Sequence, residues 1–123
     1  MRAEFKSEGW NELQFLSWVE FRHMAPSILR LEITRLGKVM RTLSVEMDFY
    51  NSLARARFDL QQFVAGVEKL EKNALDEGCV SYLRAAIMSL SFPPQDLDTE
   101  TSKTCRYVLD RLNYVYNRIG LIY

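Results

Sequence analysis

The sequence predicts an all-α protein, a four- to five-helix bundle with long antiparallel helices that homodimerisation could complete. Two observations lead there. Five Gly and three Pro in 123 residues are too few for the many hairpins of a β-sandwich or barrel. Apolar residues recur three and four positions apart through most of the chain, the period of a helix with one buried stripe. At 48% hydrophobic and 26% charged residues the composition is that of an ordinary globular chain. Its length fits a single domain over residues 1–123, with a short N-terminal arm at 1–7 and an acidic loop at 93–102.

The first helix is expected from about 8 to 23, with Ser7 as its cap. Trp10, Leu13, Trp18, Phe21 and Met24 share one face, while Phe15, Leu16 and Val19 point the other way. A helix apolar on two sides is either central in a bundle or docks a partner. Pro26 lacks a backbone N–H and is expected to end this helix near Met24, with Ser27 capping a second.

From Leu36 through Met40, Leu43, Met47, Tyr50 and Ala54 the apolar spacing is 4, 3, 4, 3, 4, a packing seam of period 3.5. Asn51-Ser52 is the expected turn, giving helices at about 28–50 and 53–76 in preference to one helix of nearly fifty residues. Gly78 suits a helix C-terminus, and Val80, Leu83, Ile87 and Leu90 mark a short helix at about 80–91. Pro93-Pro94 stops it. The last helix, about 101–118, carries a stripe of Cys105, Val108, Leu109, Leu112, Val115, Tyr116 and Ile119. Gly120 is its expected terminator, leaving Leu121-Ile122-Tyr123 as an apolar tail that docks.

Sixteen cations balance sixteen acids, so no global field draws the chain to nucleic acid or an anionic membrane. The charge is nonetheless segregated. Residues 22–57 carry seven cations against three acids, and residues 58–100 carry three against eight. Pairing of the basic helix 28–50 with the acidic helix 53–76 accounts for this without any function. The alternative is a basic face of Arg30, Lys38 and Arg41 that binds nucleic acid or an acidic subunit.

The last helix holds a second row, Lys103, Tyr107, Arg111, Tyr114 and Arg118, lying ~130° from its apolar stripe. Arg and Lys pair with phosphates or carboxylates, and Tyr packs flat at interfaces or stacks on bases. Packing of the two tyrosines against a neighbouring helix is the plainer explanation.

Catalytic signatures are missing. His23 is the sole histidine, and no phosphate-binding glycine loop or nucleophile elbow occurs. Cys79 and Cys105 are too few and too far apart for a disulfide framework or a C-x-x-C motif, and read as reduced core thiols. Glu68, Glu71, Asp76 and Glu77 could hold Mg²⁺, but interleaved Lys69 and Lys72 favour a solvated face. Asp96, Asp98 and Glu100 imitate a calcium loop without its Gly or its twelfth-position Glu, and are better placed as helix N-terminal charges. The apolar runs are short, so neither a secretory leader nor a membrane span is expected.

These features lead to a non-enzymatic, cytoplasmic protein that acts by binding a protein partner or itself, with no cofactor, metal or small-molecule substrate inferred. Trp10, Trp18 and Phe21, with Tyr107, Arg111, Tyr114 and Arg118, are the expected contact residues, being the types enriched at binding hot spots. A small nucleic-acid-binding module is the alternative, and a Mg²⁺-dependent helical hydrolase a distant third.

Overall fold

The computed structural model describes the backbone of residues 10–69 and 77–122, and the side chains of residues 19–69 and 77–119. Four helices account for nearly all of it: α1 (Trp10–Arg41), α2 (Asp48–Lys69), α3 (Glu77–Leu90) and α4 (Thr99–Ile122). The protein is an all-α bundle in which α1 packs on α2 and α4, and α3 packs on α2 and α4. The helices thus form a closed ring in chain order.

Pro26 does not end α1. The helix runs through it for 32 residues, and Ser27, the expected cap, instead donates its hydroxyl to the His23 carbonyl at 3.1 Å. Tertiary packing supplies the reason. Phe21, Ala25, Leu29, Leu36 and Val39 are buried along one stripe that passes straight across Pro26, itself buried. A break would split this stripe, and burying a Phe or Leu side chain is worth about 1.5–3 kcal/mol each, against about 3 kcal/mol for an interior proline.

The turn expected at Asn51-Ser52 lies instead at 42–47. Thr42 and Leu43 donate to the Val39 and Met40 carbonyls at 3.0 and 3.2 Å, and Met47 donates to Ser44 at 3.1 Å. Lys38 and Arg41 sit at the negative end of α1, and Asp48 at the positive end of α2. The seam of period 3.5 is therefore not one helix face, because it crosses this turn. Of its members only Leu36 is fully buried, and the buried face of α2 is Phe49, Leu53, Ala56, Leu60, Phe63, Val64 and Val67.

Neither glycine expected to stop a helix does so. Gly78 lies in the first turn of α3 and Gly120 inside α4, and no described glycine has a positive φ. By contrast, the α4 stripe is as expected: Cys105, Val108, Leu112, Val115 and Ile119 are buried, with Leu109 and Tyr116 packed against them. Asp98 caps this helix by accepting the Thr101 backbone N–H at 3.3 Å. Its hydrogen bonds to Thr101 hold the Asp98 carboxyl below its usual range. The N-terminal arm and Tyr123 lie outside the described residues.

Candidate functional site

The α1–α2 groove pairs one cation of the basic segment with an acid of the acidic one. Arg30 pairs with Glu68, and Arg57 Nε donates to the Ile33 carbonyl at 3.2 Å, so positions along the two helices meet in reversed order. The basic face inferred from Arg30, Lys38 and Arg41 does not hold together. Arg30 is turned to α2, Lys38 lines a groove with α4, and Arg41 is exposed in the last turn of α1.

The row on α4 meets α1 at Tyr107 and at Arg118, so the two helices share a ridge, with Lys103 exposed beside it. The Arg35 guanidinium lies over the Tyr107 ring at 4.6 Å to its centroid. Its Nη1 donates to Glu32 Oε2 at 2.6 Å, and Glu32 is wholly buried. That hydrogen bond raises the Arg35 pKa, so the guanidinium is fixed as a cation between a carboxylate and a ring. Further along, Arg111 approaches the Tyr114 ring at 5.9 Å, and Arg118 Nη2 donates to Glu20 Oε1 at 2.9 Å. The α1–α4 pairing order is again reversed: residue 35 meets 107 and residue 20 meets 118.

Three buried polar side-chain atoms have no hydrogen-bond partner among the described residues: Glu32 Oε1, Arg111 Nε and Arg118 Nε. Leaving such a group unpaired costs about 1–3 kcal/mol. Tyr107 and Tyr114 remain 47% and 48% exposed, and Leu31, one helical turn before Arg35, is 57% exposed. Sequence reasoning missed Leu31 and Arg35 as members of this surface, and Glu32 as the buried carboxylate that holds Arg35. The spacing of Leu31, Arg35 and Lys38 was available, but α1 had to be read as one helix facing α4 for it to matter.

At the end of the ridge Arg35, Lys38, Val39, Thr42, Glu100, Thr101 and Thr104 line a groove of about 350 Å³. Glu100 stands against its two cations, and the Thr42 and Thr104 hydroxyls donate to the Val39 and Glu100 carbonyls at 2.7 and 3.1 Å.

Phe21 cannot serve as a docking anchor, because it is wholly buried in the core. The reason is that its face of α1 turns inward with Ala25 and Leu29. The side chains of Trp10 and Trp18 lie outside those described. Of the acids considered for Mg²⁺, Glu68 pairs with Arg30 and Glu77 with Arg84 at 2.8 Å, whereas Glu71 and Asp76 fall outside the described residues. No group of three metal-ligating side chains occurs among the described residues. His23 is exposed, and Cys79 and Cys105 are buried. Burial pushes the Cys105 thiol up to about 11, with the Asp98 charge adding to the effect.

No helix among the described residues is long and apolar enough to cross a membrane. No protein-family model, curated protein or solved structure matches the chain.

Proposed function

We propose that this chain is a non-enzymatic, cytoplasmic module that works by binding protein through the α1–α4 ridge. One observation carries the reading: Tyr107 and Tyr114 stand half exposed on α4 while arginines of the same ridge are already held in place by internal partners. Ordering a long side chain at an interface costs about 0.5–1.5 kcal/mol, and Arg35 and Arg118 have met much of that cost before any partner arrives. Tyr and Arg are also the types over-represented among residues that dominate binding energy. Tyr107, Arg111, Tyr114 and Arg118 therefore remain contact residues in this reading, joined by Leu31 and Arg35, and Phe21 leaves the set.

The test is a photo-crosslinking amino acid placed at Tyr114 in the native cell, followed by mass spectrometry of the adducts. Protein adducts that disappear on Arg111→Glu support the reading. Adducts to RNA or DNA, with steeply salt-dependent binding of a single-stranded oligonucleotide by the purified protein, would replace it with the nucleic-acid alternative.

A further inference from the structure

Beside Lys103, the half-exposed row of α4 extends one turn toward its N-terminus, and its order is significant. Glu100, Thr104, Tyr107, Arg111, Tyr114 and Arg118 follow one another at spacings of 4, 3, 4, 3 and 4. At ~100° per residue they fall within a sector of about 80°. This is the period of a helix–helix seam, centred ~100° from the core stripe on the flank of α4 beside α1. The chemistry along it is self-complementary when reversed. Read against itself end for end, Glu100 meets Arg118, Thr104 meets Tyr114, and Tyr107 meets Arg111. An acid faces a guanidinium at each end, and two Arg–Tyr contacts occupy the middle.

One chain cannot make these contacts internally, because Glu100 and Arg118 are ~27 Å apart along a rigid helix. A second copy related by a two-fold axis crossing α4 near Leu109 makes all of them at once, since a two-fold interface pairs residue i with j and j with i. We propose that the partner seated on this ridge is a second copy of the same chain, its α4 antiparallel to the first. The proposal rests on the reading that the ridge binds protein, and it names the occupant.

Other features fit this occupant. Leu31, one helical turn before Arg35 on α1, is 57% exposed and adds apolar area on each copy. Arg118 uses only Nη2 on Glu20, so Nη1 remains for Glu100 of the second copy.

The register is tested with cysteine pairs in the full chain. Residues 104 and 114 lie ~15 Å apart on one helix and cannot bridge within a chain. The double variant Thr104→Cys/Tyr114→Cys should form a covalent dimer under mild oxidation, and the out-of-register control Thr104→Cys/Arg118→Cys should not. Sedimentation equilibrium of the unmodified protein should show the mass rising from 14.4 kDa toward twice that value with concentration. Glu100→Arg should weaken association about tenfold or more, and adding Arg118→Glu should restore it by exchanging the charges at both ends. Circular dichroism confirms that each variant is folded.

A monomer at every concentration overturns the proposal, as does equal crosslinking of both cysteine pairs. If the protein is monomeric while adducts in the cell are to a different protein, the second copy is excluded and the protein-binding reading stands. Adducts to nucleic acid overturn both.

Discussion

Cys105 shows how burial alone changes what a side chain does. It is 2% exposed beneath the first turns of α4, and its thiol titrates near 11 instead of 9.0. At pH 8 the native protein should resist alkylation at Cys105 and become fully labelled there in urea, as read by peptide mass spectrometry. The sign of the linked stability effect follows directly. Between pH 9 and 11 the unfolded thiol releases its proton while the folded one keeps it, so this group's contribution to stability declines as pH rises through that window. Cys105→Ala should remove that part of the alkaline slope. The sequence placed Cys105 on the core stripe of α4 correctly, because the residues that follow it at helical spacing, Val108, Leu109 and Leu112, are apolar. Phe21 was harder to place. Its helix is apolar on two sides, and periodicity cannot say which side turns inward, so an interior residue was read as a docking anchor.

At the scale of the helices, propensity and packing disagree twice, and packing wins both times. Replacing Pro26 by Ala should stabilise the protein by about 1 kcal/mol in chemical denaturation. Relief of the interior proline, about 3 kcal/mol, exceeds the loss of the buried ring, about 1–2 kcal/mol. Gly66 lies where α2 meets α3, and a Cβ added there would stand 2.7 Å from Cys79 Sγ. Gly66→Ala would ordinarily favour a helix by about 1 kcal/mol, but here it should destabilise by about 1–3 kcal/mol. In a Cys79→Ala background the same change should become neutral or favourable, and thermal melts of the four proteins give the coupling. Neither effect was legible from local sequence. Proline and glycine act through whatever lies opposite them, and the α2–α3 contact and the continuous α1 stripe exist only once the chain is folded. Helix α4 was legible because its capping acid, its apolar stripe and its outer polar row agree with one another.

For the whole molecule, the buried residues of all four helices form one cluster, and α4 returns to close on α1. Unfolding in urea should therefore be a single transition, with far-UV and near-UV circular dichroism giving coincident midpoints. Noncoincident midpoints would show that part of the ring opens alone. The ion pairs around its surface, Arg84 with Glu77 and Arg118 with Glu20, should add little to that midpoint, since exposed pairs are worth about 0–1 kcal/mol. Their place is in orienting side chains rather than in holding the bundle together.

The sequence by itself determined that the chain is helical, which residues form the core stripe of the last helix, and that an acid would stand at its start. Each follows from period, composition or a cap, which are local properties. Only the tertiary structure decided that α1 passes through Pro26, that the chain turns at 42–47, and that Phe21 is interior. It also decided that Arg35, held by Glu32, stands over Tyr107. These outcomes depend on which surfaces meet, and burial of a shared apolar stripe outweighs the local preference of any single residue.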